Sequence, residues 1–433
     1  MKTIPIFAAV VLLAAGPGLR AQDSRMAVPK GGLTLSGAIA LSLSNSPVLS
    51  ADRYGLRAGE ARSIRAKVLP NPELRLEVEN LPSSRSGTGA DDTETTLQLS
   101  QLIELGGKRS ARIAEARLAN DLAAWDYEIR RLDVLAETAR RFIEVVAAQE
   151  RLALAKESST LAEAASAAVK ERVDAARASV VEQRRADIAV AQAKIEEEHV
   201  EHSLLSARKA LAATWGSEEA TFSGARADFY ARRQPEAFGS LMAGIGSNPD
   251  LARFAEEASL REAQLRLART LRIPDVTLTA GLRQFADENA WAGVFGVSLP
   301  LPLFDRGQAG IQEALQLHGK AEAMGRAIRV QLAVKLFEAY QELVHSVTEL
   351  DVMANEILPA AKEVMSATED GYRQGRFSYL ELADARRSLI GLRRQNIEAA
   401  LGYHLRQVEI DRLIGAAALA PQSPAPAPFK KKN

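Results

Sequence analysis

The fold is decided by the stretch Thr95-Thr96-Leu97-Gln98-Leu99-Ser100-Gln101-Leu102-Ile103-Glu104-Leu105-Gly106-Gly107-Lys108-Arg109. Apolar and polar residues alternate in its first part, and a period of two predicts a β-strand. The paired glycines Gly106 and Gly107 then predict a turn. Lys108 opens a long proline-free run rich in Ala, Glu, Arg and Leu, a composition that favours helix. The basic unit of this chain is therefore a strand that turns directly into a very long helix.

The same unit occurs twice, because matching residues recur at nearly constant spacing. These pairs are Pro47 and Pro249, 202 positions apart, Pro72 and Pro274, also 202 apart, and Ser100 and Ser298, 198 apart. Residues 176–182 likewise match residues 375–381 at a spacing of 199. Self-similarity at a fixed period is the signature of a repeated unit. We therefore expect a tandem duplication, with a first repeat at residues 22–235 and a second at residues 236–415.

Four alternating segments predict strands, two in each repeat, near residues 72–80, 94–103, 274–285 and 290–301. Each is about ten residues long, the length that a tilted strand needs to cross a bilayer. The remaining segments predict helices. A helix from Lys108 to Asp174 would be roughly 100 Å long, which no globular core can cover. Apolar residues at three- and four-residue steps predict coiled-coil seams, at Leu132, Leu135, Ala139, Phe142 and Val146 and at Leu336, Ala339, Leu343, Ser346, Leu350, Met353 and Ile357.

Four strands in one chain cannot close a barrel, because open sheet edges leave backbone groups that lipid cannot satisfy. Three copies related by rotation would supply twelve strands, an even number within the range of outer-membrane barrels. The sequence therefore predicts a mainly α-helical homotrimer that carries a transmembrane β-barrel. The long helices are expected to continue from the strand ends as a second, helical barrel.

Composition and the two chain ends bound the cellular location. The 433 residues include 55 basic and 55 acidic side chains and no cysteine, which excludes disulfide frameworks, thiolate metal centres and a lipid on an N-terminal cysteine. The balanced charge argues against nucleic acid as a partner. Residues 1–21 have the pattern of a cleaved Sec-type signal peptide, and residues 416–433 are expected to form a disordered tail. We expect an unlipidated outer-membrane protein with a periplasmic helical extension.

This arrangement resembles the TolC outer-membrane efflux family over residues 33–415. Two segments resemble its CzcC-like branch, which serves heavy-metal efflux by pumps of the RND class: residues 70–74 and residues 101–109. The resemblance implies a homotrimer with a twelve-stranded barrel in outer-membrane lipid and a helical tunnel in the periplasm. It also implies two protein partners, a periplasmic adaptor (a membrane fusion protein) and an inner-membrane RND pump.

The resemblance further implies that the periplasmic mouth of the tunnel lies at the turns between paired helices. Glu381 and Asp384 fall where the family places an acidic ring, and Glu182 and Arg185 are their counterparts in the first repeat. A carboxylate ring in a narrow throat concentrates cations and repels anions. Arg185 is expected to pair with Asp384 and hold the mouth shut. The alternative is that these four residues are solvated charges at helix ends.

Three further residues are candidates for the membrane boundary. Lys108 and Arg109 are expected at the inner lipid interface, where long basic side chains extend to the headgroups, or else simply outside the membrane. Trp291 is expected in an interfacial aromatic girdle, or in ordinary packing. His199 and His202 are three residues apart on a predicted helix, a spacing compatible with a metal site and also with a polar stripe.

No Ser–His–acid arrangement, nucleotide-binding motif or pair of catalytic carboxylates is found, so we expect neither enzymatic activity nor a cofactor. The predicted function is that of an outer-membrane channel in a tripartite efflux system exporting divalent heavy-metal cations. The same duct serving drugs or type I protein secretion is an alternative, because a fold does not determine the cargo. An alternative of another class is a soluble periplasmic coiled-coil adaptor or scaffold, which would need no strands of bilayer length.

Overall fold

The computed structural model describes residues 31–80, 93–286 and 290–415. The predicted signal peptide and the predicted tail lie outside these ranges. The strands are β1 Gly32–Leu33, β2 Glu73–Glu79, β3 Glu94–Ile103, β4 Gly224–Ala225, β5 Val276–Phe285 and β6 Ala290–Ser298. The helices are α1 Leu35–Asn45, α2 Pro47–Arg65, α3 Lys108–Asp174, α4 Val180–Ala213, α5 Phe238–Gly244, α6 Pro249–Thr270, α7 Gln308–Val352, α8 Leu358–Arg373 and α9 Tyr379–Leu413, with a short 3₁₀ turn at Ile245–Ser247.

Four of the strands form one antiparallel sheet in the order β2-β3-β5-β6. Its register sets Leu76 opposite Leu97, Leu97 opposite Leu282, and Ala280 opposite Phe295. Because side chains alternate between the two faces of a strand, these residues share one apolar face. That face is open to solvent, with Leu76 65% and Phe295 85% exposed. A sheet with one apolar and one polar face fits a barrel wall between lipid and water.

The longest helix, α3, contains the 67 residues that the sequence predicted. It packs along α4, α6 and α9, and α7 packs on α6 and α9. The predicted seams are buried in these contacts, since Leu135, Ala139 and Phe142 on α3 are at most 1% exposed and Leu336 and Leu343 on α7 at most 2%. Burial of each such leucine or phenylalanine stabilises the fold by about 1.5–3 kcal/mol. Within the described ranges, no helix combines the length and the apolar character needed to cross a bilayer.

The main hydrophobic core lies where α1, α3, α7 and α9 meet the connection that follows α4. A π-helical turn at Met353–Ile357 separates α7 from α8. Pro359, in the first turn of α8, has no N–H to donate to the Asn355 carbonyl group, which accounts for the break in regular α-helix. The seam predicted from the sequence continued through this point and did not anticipate the interruption.

The helices also form two hairpins whose tips meet. The first hairpin joins α3 to α4 through residues 175–179, and the second joins α8 to α9 through residues 374–378. A small separate core holds the two tips together and consists of Val169, Ala186, Tyr372, Tyr379 and Leu382. The two repeats are therefore in contact at the positions where the sequence predicts the mouth.

Candidate functional site

The hairpin tips carry the four predicted mouth residues in the first two turns of α4 and α9. Each tip ends in a serine that caps the following helix. The Ser179 hydroxyl accepts a hydrogen bond from the Glu182 N–H at 3.3 Å. Ser378 and Glu381 form a reciprocal capping box, in which the Glu381 carboxylate accepts from the Ser378 N–H at 2.7 Å. Such caps satisfy N–H groups that the first helical turn leaves without partners.

The acidic residues of the second tip reach solvent. Hydrogen bonds from the Ser378 backbone N–H, and then from its hydroxyl, lower the pKa of Glu381. Asp384 is 77% exposed and lies 3.7 Å from Arg387. Within one chain Asp384 therefore pairs with a neighbour on its own helix, and the predicted Arg185–Asp384 pair is not formed there. The mouth roles of these residues stay predictions.

A contact that sequence reasoning missed ties the two tips together. The Arg172 guanidinium, at the end of α3, donates to the Tyr372 carbonyl oxygen at 2.7 Å. Its Cζ atom also lies 4.3 Å from the centroid of the Tyr372 ring, within the range of a cation–π interaction. Tyr372 in turn contacts Tyr379 edge to face. No local pattern marks Arg172 and Tyr372, because they are 200 positions apart and meet only when the hairpins pack.

At the other end of α3, the first junction (residues 104–112, between β3 and the start of α3) is built from ion pairs. The Lys108 ammonium lies 2.6 Å from the Asp275 carboxylate, and the Lys108 side chain is only 8% exposed. Asp275 also accepts a hydrogen bond from the Leu105 N–H at 3.0 Å. Arg112 pairs with both carboxylate oxygens of Glu104, a bidentate geometry that is among the strongest for such groups. Asp275 belongs to the second repeat, so the network joins both repeats.

The first junction holds its carboxylates in the charged form. Hydrogen bonds from Arg112 lower the pKa of Glu104 below its ordinary value of 4.5, against the opposing effect of burial. Burial acts to raise the pKa of Asp275, but hydrogen bonds from Lys108 and from the Leu105 N–H outweigh it and the pKa lies below the ordinary 3.8. The network is therefore ionised at neutral pH.

These contacts revise the expectation for the boundary residues. Lys108 is buried against Asp275 and does not extend to lipid, because a charge removed from water needs a counter-ion. Arg109 donates to the Lys67 carbonyl oxygen at 2.8 Å, which fastens the start of α3 to the segment after α2. Trp291 is 64% exposed on the apolar face of the sheet. Its role in an aromatic girdle stays a prediction.

The glycine pair of the first junction has a steric role. Gly106 and Gly107 have φ angles of +69° and +75°, and a Cβ atom on Gly106 would lie 2.7 Å from Ile273 Cδ1. Positive φ and close approach of a neighbouring chain segment both favour glycine. The turn predicted at this pair therefore also allows the second repeat to pack against the start of α3.

The polar face of the sheet carries a second ionic group that the sequence did not reveal. Arg283 on β5 lies 2.7 Å from Glu94 and 3.4 Å from Glu79, and it donates to the Thr96 hydroxyl at 2.9 Å. The register makes this group possible, because Thr96 pairs with Arg283 and Glu79 with Glu94. Arg283, Glu79, Glu94 and Thr96 therefore form one connected polar group at this end of the sheet.

The histidine pair on α4 is part of a solvated helix face. His202 lies 3.8 Å from Glu198, and the two side chains are 70% and 75% exposed. Across residues 31–80, 93–286 and 290–415, no group of three or more His, Asp or Glu side chains is positioned to hold a metal ion.

The chain matches the model of the family described as Outer membrane efflux protein over residues 38–217 and 244–416. It is 32% identical over 385 residues to the cobalt-zinc-cadmium resistance protein CzcC of Cupriavidus metallidurans, covering 89% of this chain and 90% of that protein. It is 28% identical over 302 residues to the nickel and cobalt resistance protein CnrC of the same organism, covering 68% and 69%. Its fold matches the crystal structure of the outer membrane protein VceC from Vibrio cholerae with a TM-score of 0.72 at 18% identity, covering 88% of this chain and 96% of that one. The resemblance inferred from the sequence is confirmed, and the chain belongs to the outer membrane efflux protein family.

Proposed function

We propose that this chain is the outer-membrane duct of a tripartite efflux system that exports divalent heavy-metal cations. The observation that carries the proposal is the four-stranded sheet, with its exposed apolar face and its charged opposite face. One chain leaves β2 and β6 as the sheet edges, and three copies joined at these edges close a barrel of twelve strands. The apolar face then contacts outer-membrane lipid, and the charged face lines a water-filled lumen.

The helices supply the periplasmic part of the duct. At 67 residues, α3 is long enough to extend roughly 100 Å, and its packing against α4, α6 and α9 gives one segment of a helical wall. At the tips, Glu182, Arg185, Glu381 and Asp384 form the entrance, and threefold symmetry repeats each as a ring. Exposed carboxylates in a ring raise the local cation concentration without holding any cation tightly. A passive duct benefits from such weak attraction, because strong binding would slow release.

The cargo and the partners are inferred from the relatives and from the tips. CzcC is a cobalt-zinc-cadmium resistance protein and CnrC a nickel and cobalt resistance protein, and we assign the same class of cargo to this duct. Val180, Val181 and Leu380 at the tips are 63%, 61% and 57% exposed. Apolar side chains grouped at a surface favour a protein partner, which supports docking of a periplasmic adaptor there and, through it, an inner-membrane RND pump.

The cargo is tested by metal tolerance of a strain that lacks this chain and is complemented with variants. Deletion is expected to lower tolerance to zinc, cobalt and cadmium, and the intact chain to restore it. Unchanged tolerance to all of these metals, together with lost tolerance to organic drugs or lost secretion of a protein substrate, would establish the alternative cargo.

The entrance is tested by conductance of the purified channel in planar bilayers. Asp384→Lys is expected to lower the preference of the channel for cations over anions, because it replaces a carboxylate of the proposed ring with a positive charge. Glu363→Lys is the matched control, since Glu363 is also an exposed acid on the second hairpin but lies in α8, away from the turn. Equal effects of the two variants would show that no ring acts at the tips.

A stable, detergent-free monomer without conductance would instead support a soluble adaptor.

A further inference from the structure

The two edges of the sheet have side chains that the described part of the chain leaves exposed. On β2, Leu74 is 71% exposed, and on β6, Val297 is 74% exposed. Beyond β6, Leu301 and Phe304 are 70% and 95% exposed, although neither lies in a strand. An antiparallel edge strand presents unpaired N–H and C=O groups. Each edge therefore needs a partner strand, and the other edge of a second copy is available.

The duplication supplies a template for that contact. Within the chain, β3 pairs with β5, which is the seam between the two repeats, and here Leu99 lies opposite Ala280. Adding 198 to a residue number in β3 gives the corresponding residue of β6, and subtracting 202 from a residue number in β5 gives the corresponding residue of β2. Leu99 then corresponds to Val297 and Ala280 to Val78, so Val297 of one copy is expected opposite Val78 of the next. Both residues lie on the apolar face of the sheet, so the transferred register keeps that face continuous.

The same operation transfers an ion pair. Glu73 is the counterpart of Asp275 at the spacing of 202, and Arg306 follows Ser298 by as many residues as Lys108 follows Ser100. The second junction is two residues longer, so the residue that opens α7 is Gln308, and Arg306 is the cation just before that helix start. Arg306 and Glu73 are both exposed, and neither forms a salt bridge with any residue of the part of the chain that the structure describes. The charges are thus complementary at the place where the template requires a cation beside an anion.

We propose that β6 of one copy pairs with β2 of the next in the register that sets Val297 opposite Val78, and that Arg306 forms a salt bridge with Glu73 of that neighbour. The contact between copies then repeats the contact between the two repeats, and the apolar segment after β6 covers Val68 and Leu69, which are 56% and 60% exposed before the neighbour's β2. This inference rests on the proposed function, because it takes the assembly to be a closed ring of three copies.

The register is tested by cross-linking, for which a chain without cysteine is an ideal background. The double variant Val78→Cys with Val297→Cys is expressed, and its outer membranes are treated with a mild oxidant. We expect covalent trimers on a non-reducing denaturing gel. The control, Leu76→Cys with Val297→Cys, keeps both thiols on the apolar face but shifts the register by two residues, and it should stay largely monomeric. Cross-linking of the control equal to or above that of the first pair overturns the register.

The ion pair is tested by charge exchange. Glu73→Arg and Arg306→Glu are each expected to lower the temperature at which the detergent-solubilised trimer dissociates by several degrees, and the double variant to restore it. Glu218→Arg, an exposed acid in the connection after α4, controls for an added charge. If the two single substitutions lower the dissociation temperature and their effects simply add in the double variant, the salt bridge is overturned and the proposed function is left intact. If the wild-type chain does not form trimers, the proposed function itself fails.

Discussion

The two strand-to-helix junctions of this chain occupy corresponding places in the two predicted repeats and are completed in different ways. At the first junction, Lys108 is buried against Asp275 and Glu104 is paired with Arg112. At the second junction, residues 299–308 between β6 and α7, the corresponding stretch exposes apolar side chains, among them Phe304 at 95%. The partners of the first junction named here lie in the same chain. The part of the chain that the structure describes leaves Leu301, Leu303 and Phe304 of the second junction 66% to 95% exposed.

This difference indicates what each junction stabilises. A network whose partners share one chain forms when that chain folds, so the first junction contributes to the stability of the protomer. Exposed apolar side chains stabilise a structure only when another surface covers them, so the second junction contributes to the assembly. Changes at the first junction should therefore alter unfolding of the protomer, and changes at the second should alter association of copies.

The largest expected effect is at Asp275. Asp275→Asn removes the counter-ion of a lysine that is 8% exposed, and we expect a loss of about 3 kcal/mol in the free energy of unfolding, because a buried charge is left uncompensated. The measurement is urea unfolding in detergent, followed by far-UV circular dichroism. Asp305→Asn is the matched control, since Asp305 only accepts a hydrogen bond from the Gly307 N–H in the second junction. If the two variants unfold at the same midpoint urea concentration, the distinction between the two junctions is contradicted.

Acid should weaken the first junction selectively. The pKa values of Glu104 and Asp275 are lowered in the folded state, so the folded chain binds fewer protons than the unfolded chain in this range. Their stabilisation is therefore present above the ordinary carboxyl pKa and is lost as the pH falls through the lower, folded-state values.

Unfolding measured from about pH 6 to about pH 3 should show this loss as a falling free energy of unfolding. Glu104→Gln removes one of the two groups, and it should be less stable at neutral pH but less sensitive to acid than the wild type. A variant whose acid dependence is as steep as that of the wild type would show that Glu104 does not contribute.

A smaller effect is expected at the turn. Gly106→Ala introduces a side chain at a positive φ angle, which costs about 1–2 kcal/mol, and its Cβ atom would also press on Ile273. Gly310→Ala is the control, because Gly310 lies inside α7 with open space around it and should gain up to about 1 kcal/mol from helix propensity. Thermal unfolding should show a lower melting temperature for Gly106→Ala and a higher one for Gly310→Ala. A neutral Gly106→Ala would show that the turn tolerates other residues.

The parts of this structure that the sequence predicted are those encoded by neighbouring residues. Alternation marked β3 and β5, and the Gly-Gly-Lys-Arg step located the start of α3 at Lys108, because strand periods and turn residues act locally. The partner of Lys108 was not predictable in this way. Asp275 meets Lys108 only after β3 and β5 have paired across the repeats. The charged group at Arg283 depends on the same pairing.

The candidate entrance shows the same limit. The tips were located by resemblance, and their serine caps follow from local sequence. Within one chain Asp384 pairs with Arg387, one turn along the same helix, and its expected pairing with Arg185 stays a prediction. Arg172 was overlooked, since its contact with Tyr372 exists only in the packed hairpins. Long-range contacts of this kind leave no periodic trace in the sequence.

The smallest expected effect compares the two tips themselves. Ser378→Ala removes the two bonds that the hydroxyl makes in the capping box, with the Glu381 carboxylate at 2.9 Å and with the Glu381 N–H at 3.4 Å. Ser179→Ala removes a single bond of 3.3 Å from the Glu182 N–H. We expect about 1 kcal/mol of local stability to be lost at Ser378 and clearly less at Ser179. Amide hydrogen exchange in the first turns of α9 and α4 measures both. The Ser378 hydroxyl also lowers the pKa of Glu381, although less than the Ser378 backbone N–H, which the variant keeps. That pKa should therefore rise part of the way toward its ordinary value in Ser378→Ala alone. The two tips could instead lose equal protection against amide exchange while the pKa of Glu381 stays unchanged. That result would mean that the Ser378 hydroxyl does not stabilise the second tip and does not affect the pKa of Glu381.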